Sequence, residues 1–144
     1  MISSTCESSA SHTQDCTTRR STCPRLSVGA VPARDGRDLS GGYNGSPRGL
    51  PHSVHVDDEP CTDSLHAEET ALLNAAYHGV SSRGTALYCT HSPCKACTGR
   101  IINVAVVAVV YALPYRSDAG LARLAVAGVL VEKLQEAGCL PTEA

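Results

Sequence analysis

His66-Ala67-Glu68 and Pro93-Cys94-Lys95-Ala96-Cys97 restrict the fold more than any other part of the chain. Leu65 to Gly79 reads as a helix, with Leu65, Leu72, Leu73 and Ala76 as its apolar face and Gly79 as its stop. His66 and Glu68 then sit in its first turn. Pro93 suits the residue before or at a helix start, so Cys94 and Cys97 fall in the first turn of a second helix and share a face. The unpaired amides and positive dipole end there favour thiolate over thiol. An imidazole and two thiolates are the ligands of one metal ion. Two helix N-termini must therefore face each other across it.

Zinc in a hydrolytic site takes three protein ligands and keeps a fourth position for water. His66, Cys94 and Cys97 supply the three, and two thiolates with a neutral imidazole balance the charge of the ion. Glu68 is not needed as a ligand, which leaves it to move protons beside that water. A lone Cys-x-x-Cys would fit a redox pair or half of a structural zinc site. The two motifs in this order, one opening a helix and one following a strand, favour the hydrolytic reading over a closed zinc site or a chance match.

The 144 residues suit one domain. A net charge of −2 gives no support to bulk electrostatic binding of nucleic acid. There is no Trp and no Phe, so the core has no large aromatic of those types to bury. Stability is expected to lean on the metal and on subunit contacts. Eight cysteines without an apolar h-region in residues 1–22 point to a reducing cytoplasm rather than a disulfide scaffold. No apolar run is long enough to span a membrane.

Residues 1–20 read as a flexible N-terminal segment with unpaired Cys6 and Cys16 and solvated Arg19 and Arg20. Residues 21–135 form the zinc-dependent domain, and 136–144 a C-terminal tail. Ser27 to Arg34, the Asp35-Gly36 turn and Asp38 to Tyr43 read as a β-hairpin, with Pro32 confined to an edge or bulge. Gly41 to Gly49 is either a plain turn or a ligand-cradling loop with Asn44 and Arg48 as polar handles. Cys23, His52, His55 and Cys61 are either the ligands of a second, structural zinc or, for the histidines, exposed loop residues. Gly84 to Thr90 and Val104 to Tyr111 read as strands, the latter buried on both faces, with the Cys helix running to about Asn103 between them. The Pro114-Tyr115-Arg116 loop leaves the carboxyl end of a central strand, where ligands bind in open α/β sheets. Asp118 to Ala127 is a helix with Leu121 and Leu124 inward. Val129 to Val131 is a last strand, or else the helix runs on to Gln135. The sum is an α/β three-layer α/β/α domain around a mixed sheet of about five strands, parallel in its later part.

His-x-Glu followed by Pro-Cys-x-x-Cys is the signature of the zinc nucleobase deaminases. From Ser21 to Val131 the chain resembles the deoxycytidylate (dCMP) deaminases more specifically. The matching stretches are Ser21-Thr22-Cys23-Pro24-Arg25, Val28-Gly29-Ala30-Val31, Gly42-Tyr43-Asn44-Gly45-Ser46-Pro47-Arg48-Gly49, the two zinc motifs, and Tyr111 through Pro114-Tyr115-Arg116. The Gly-Tyr-Asn-Gly loop separates this family from nucleoside cytidine deaminases and tRNA adenosine deaminases. The resemblance implies the cytidine deaminase-like fold, a homo-oligomer that is usually a hexamer, and hydrolytic deamination of dCMP to dUMP for dTTP supply. It implies Glu68 as the proton carrier, Asn44 on the deoxyribose, and Arg25, Tyr115 and Arg116 on the 5′-phosphate. It also implies the Ala67 amide on cytosine O2 and the Ser92 carbonyl on the exocyclic amine. Gly42, Tyr43, Gly45 and Arg48 would then serve an allosteric site for dCTP or dTTP with Mg²⁺. Some members hold a second zinc through the equivalent of Cys23.

Two departures stand out. Members usually begin with an amphipathic helix, which residues 1–20 do not show. Many have a Cys after the Gly-rich loop, where this chain has His52-Ser53. The competing readings are deamination of another cytosine nucleoside or nucleotide, and a catalytically silent zinc-binding nucleotide sensor.

Overall fold

The computed structural model describes residues 17–23, 25–52, 61 and 63–134. The elements are β1 (Gly29–Arg34), β2 (Arg37–Asp38), β3 (Gly42–Tyr43), α1 (Ala67–Tyr77), β4 (Ala86–His91), α2 (Lys95–Asn103), β5 (Ala108–Leu113), α3 (Ala119–Val126) and β6 (Leu130–Lys133). They build one mixed sheet of six strands in the order β2-β1-β4-β5-β6, with β3 also paired to β1. β1 is antiparallel to β4, whereas β4, β5 and β6 run parallel through the crossover helices α2 and α3. Among the described residues no helix is long and apolar enough to cross a membrane.

The expected returning strand is split into β2 and β3, and Pro32 explains the break. Its carbonyl accepts from Leu39 N–H at 2.9 Å, so its missing donor points toward the gap between the two pieces. Elsewhere on that side of β1 the pairing is intact. A proline is tolerated next to β4 because the lost ladder bond falls on this interrupted side.

The core is made of small side chains at alternating strand positions. Ala30, Leu87, Cys89 and Val109 meet Ala67, Ala71, Leu72, Cys97, Ile101 and Leu124 from the three helices. On the opposite sheet face Val31, Tyr88 and Val110 are equally inaccessible, so the sheet is covered on both sides. This is the layered α/β architecture expected.

The buried face of α1 differs from the one read in the sequence. Ala67, Glu68, Ala71, Leu72 and Ala75 face inward, while Leu73 is 52% exposed and Tyr77 72%. Ala76 is exposed as well, and Leu65 precedes the helix and bridges Gly45. β3 approaches the inward face closely, because a Cβ at Gly42 would fall on the backbone of Ala67 and Ala71. Ala67 and Ala71 stand at that contact.

The strand read from Val104 starts later, at Ala108. Val104 caps α2 and Ala105 takes φ 58°, so the first β-branched residues turn the chain instead. At the other end Gly128 adopts φ 79° and Val129 N–H bonds Leu124 C=O at 3.0 Å. That left-handed residue ends α3 and sends the chain into β6, which excludes one long helix to Gln135. Residues 17 and 18 are helical, and Arg20 is exposed as expected, with its guanidinium 5.6 Å from the Tyr43 ring centre. Cys6, Cys16, His55 and the tail from 136 lie outside the described residues.

Candidate active site

His66 and Cys94 are the N-cap residues of α1 and α2, and neither uses its side chain to cap. Both have extended backbone, which turns the side chains away from their helices and toward each other. His66 Nδ1 lies 3.4 Å from Cys94 Sγ and 3.3 Å from Cys97 Sγ. All three donor atoms lie within 4.8 Å of one another. A tetrahedral zinc with ordinary Zn–N and Zn–S bonds separates such atoms by about 3.6 Å. The triad therefore fits zinc with a shift of a few tenths of an ångström.

Electrostatics agree. Hydrogen bonds from Cys97 and His66 push the Cys94 thiol down to about 3. Cys97 moves up, because it carries the proton it shares with Cys94 and is buried. The Cys94 thiolate in turn raises His66. Glu68 is 5% exposed, and burial raises its carboxyl despite the opposing hydrogen bond from its own backbone N–H. A buried carboxyl beside a metal triad can hold a proton and release it.

The triad opens into a cavity of about 300 Å³. Arg25, Asn44, Ala67, Ser92, Tyr115 and Arg116 all line it, as do His66, Glu68 and Cys94. Strand ends and loops explain the convergence. Ser92 Oγ accepts from Tyr115 N–H at 2.7 Å and Ser92 N–H donates to Leu113 C=O at 2.9 Å, so the end of β4 holds the loop after β5. Asn44 does more scaffolding than a loop handle would. Its Oδ1 accepts from Val28 N–H at 2.9 Å and Ser21 Oγ–H at 2.6 Å, and its Nδ2 donates to Leu26 C=O at 2.7 Å. Asn44 thereby shapes the segment that carries Arg25.

Arg48 is not on this cavity. It donates to Asn74 Oδ1 at 2.7 Å and sits 4.4 Å from the Tyr77 ring centre. With Tyr43 and Gly45 it lines a second, open groove of about 840 Å³ on the other side of the Gly-rich loop. Gly42 lines neither, since its place is the contact with α1.

Cys23, His52 and Cys61 also converge, with donor atoms within 4.8 Å. Cys61 Sγ is 3.7 Å from His52 Nε2, while Thr22 Oγ1 lies 3.3 Å from His52 Nδ1 and orients the ring. Cys23 and Cys61 lie on the wall of the first cavity, so this cluster and the triad border one space. The sequence reading missed His91, Leu26, Val28 and Ser64 on that wall. For His91 a signal existed: β4 runs one residue past the expected Thr90, which puts His91 at the strand's carboxyl end.

A mixed α/β sheet with a His/Cys/Cys triad on two helix N-termini, and a buried glutamate beside it, defines a zinc site of the deaminase type. Residues 5–113 match the family model described as the cytidine and deoxycytidylate deaminase zinc-binding region. The chain belongs to that family. It is 41% identical over 121 residues to ComE operon protein 2 of Bacillus subtilis, covering 81% of this chain and 64% of that protein. It is 38% identical over 109 residues to the deoxycytidylate deaminase of Saccharomyces cerevisiae, covering 69% of this chain and 35% of the yeast protein. The chain thus spans less than two thirds of the length of these curated relatives. Its fold matches the crystal structure of dCMP deaminase from cyanophage S-TIM5 in complex with dCMP and dUMP. The TM-score is 0.87 at 33% identity, over 93% of this chain and 100% of that one.

Proposed function

We propose that this chain catalyses the hydrolytic deamination of dCMP to dUMP with release of ammonia, as a step in pyrimidine deoxynucleotide supply. One observation carries the reading: a single cavity joins the His66–Cys94–Cys97 triad and buried Glu68 to Asn44, Arg25 and Arg116. The cyanophage relative holds dCMP and dUMP on the same fold, which supports the same substrate.

Zinc held by His66, Cys94 and Cys97 would supply Lewis acidity that makes water a nucleophile near neutral pH. Glu68 does the proton work. Its carboxylate takes a proton from the attacking water and passes it to N3 of cytosine as the new bond forms at C4. It then takes the remaining proton of the hydroxyl added at C4 and delivers it to the exocyclic amine, which leaves as ammonia as the C4 carbonyl forms. The raised pKa suits both roles, because the group must hold the proton between the two transfers. The Ala67 N–H stands at the first position of α1, where no intrahelical acceptor exists, and is assigned to cytosine O2. The Ser92 hydroxyl is already engaged by Tyr115, which leaves its carbonyl for the exocyclic amine. Arg25 and Arg116 pair with the 5′-phosphate as charge-assisted forks beside Tyr115, and Asn44 turns its second Nδ2 hydrogen to the sugar.

Three further assignments belong to the same reading. Cys23, His52 and Cys61 hold a second, structural zinc, with His55 the sequence candidate for a fourth ligand. The groove lined by Tyr43, Gly45 and Arg48 takes a dCTP or dTTP effector. Its described lining contains no carboxylate, so any Mg²⁺ would arrive on the effector's phosphates. The exposed Leu73 and Tyr77 supply apolar area for a homo-oligomer, a hexamer by family resemblance. Thiolate ligands favour a reducing, cytoplasmic setting.

The alternatives are another cytosine nucleotide and a silent zinc-binding sensor. A sensor has no use for Glu68 buried against the triad. Ammonia release from dCMP, CMP, deoxycytidine and dCTP, with protein-bound zinc counted in the same sample, decides among them. Turnover of dCMP well above the others is expected. Deoxycytidine turned over as fast as dCMP would overturn the phosphate assignment, and zinc without turnover would favour the sensor.

A further inference from the structure

We propose that His91 is a substrate-contact residue whose Nε2–H donates to the phosphate of the bound nucleotide, so that it sets the preference for a nucleotide over a nucleoside. The inference deepens the nucleotide reading above and rests on it.

The ring is fixed before any ligand arrives. Thr90 Oγ1 accepts from Gly29 N–H at 3.1 Å and lies 3.0 Å from His91 Nδ1. The Thr90 hydroxyl keeps its hydrogen and a second lone pair, so it can donate to His91 Nδ1 or accept from it. Where Thr90 donates, Nδ1 is the accepting nitrogen and a neutral ring carries its hydrogen on Nε2. Partial burial lowers the pKa of His91, which keeps the ring in that neutral form.

Position supplies the target. His91 ends β4 and is in register with Leu113, the last residue of β5. The next residues of those two chains are Ser92 and the Pro114-Tyr115-Arg116 loop, tied by the bond from Tyr115 N–H to Ser92 Oγ. His91 therefore sits on the cavity wall one strand from Tyr115 and Arg116, at the end where the arginine charge gathers. Among the described residues Nε2 has no partner in the protein. In that tautomer an Nε2–H on the cavity wall shared with Arg116, without a protein partner among the described residues, is complete only when a ligand acceptor is present.

The test uses the zinc-loaded full chain with His91→Leu, which removes the donor, and His91→Gln, which keeps an N–H within reach. Affinities for dUMP and for deoxyuridine are measured by calorimetry, alongside KM and kcat for dCMP. His91→Leu is expected to weaken dUMP about 10- to 100-fold and raise KM for dCMP to match, with kcat and deoxyuridine binding little changed. His91→Gln should recover most of the loss. Equal losses for dUMP and deoxyuridine, or no loss, overturn the proposal. Should the leucine variant fail to fold, nitrogen-15 NMR of wild-type histidines answers instead. A neutral Nε2–H ring that shifts with dUMP but not with deoxyuridine supports the contact, and a ring indifferent to both excludes it. Binding of dUMP through His91 without dCMP turnover would overturn the proposed reaction alone. Turnover with unchanged affinities would overturn only the role of His91.

Discussion

His66 and Cys94 are 28 residues apart in sequence, yet the Nδ1 of one lies 3.4 Å from the Sγ of the other, and each is the N-cap of its own helix. The site is thus assembled from helix ends. Whatever moves α1 or α2 along its axis by a fraction of a turn takes the triad apart.

The first consequence concerns Glu68. Glu68→Gln keeps the shape of the buried side chain but cannot carry the proton between water, ring and amine. We expect kcat to fall about 10²- to 10⁴-fold, with zinc content unchanged by atomic emission. A rate within a few-fold of wild type would remove Glu68 from the proton path.

Metal removal should expose an uneven thiol set. In chelated protein Cys94 is a thiolate above about pH 3, because Cys97 and His66 stabilise its charge. Its alkylation by iodoacetamide should vary little between pH 5 and 8, whereas an ordinary thiol gains reactivity tenfold per pH unit below its pKa. Cys89 is fully buried, and burial pushes its thiol up, so it should stay unlabelled until the protein unfolds. Zinc should protect Cys94 and raise the melting temperature, since a ligand bound only by the native state stabilises it. Peptide mapping and thermal scans check both points. Equal melting temperatures with and without zinc would argue against a core that leans on its metal.

Gly42→Ala tests the packing of β3 on α1. The added Cβ would meet the Ala67 and Ala71 backbone, which cannot yield as a flexible side chain would. A loss of about 1–3 kcal/mol is expected from overpacking, read in urea unfolding. Zinc affinity should weaken too, because the same shift moves His66 at the start of α1.

Arg116→Ala should raise KM for dCMP about 10- to 100-fold, as loss of a hydrogen bond between charged groups would, and leave deoxycytidine turnover nearly constant. Arg48→Ala should leave both constants for dCMP alone in the absence of effectors, because Arg48 faces the second groove. A parallel rise in KM from both variants would contradict this division of the arginines.

Cys23→Ser tests the second cluster. Zinc per chain should fall from two to one while the triad keeps its ion. A count that stays at one in wild type and variant would leave Cys23 and Cys61 as wall residues and His52 as a neighbour of Cys61 only.

The motif residues pointed to the His66, Cys94 and Cys97 triad, which the fold brings together. A His, a Glu and a Cys-x-x-Cys at two helix starts leave little else to build, because ligand spacing and helix capping are local properties. The parallel order of β4, β5 and β6 was legible for the same reason: crossover length and β-branched runs are written in consecutive residues. Tertiary structure decided what depends on approach between distant segments. Leu73 looked buried by periodicity but is exposed, since α1 turns the face of Ala67 and Ala71 to β3. Asn44 looked like a ligand handle but spends most of its hydrogen bonds holding Ser21, Leu26 and Val28. Arg25 and Arg116 are remote in sequence yet share one cavity, while Arg48 turns to the other side of its loop. Periodicity reports which residues share a face of one element. Which face is covered, and by what, is set by the distance to the neighbouring element, and only the folded chain contains it.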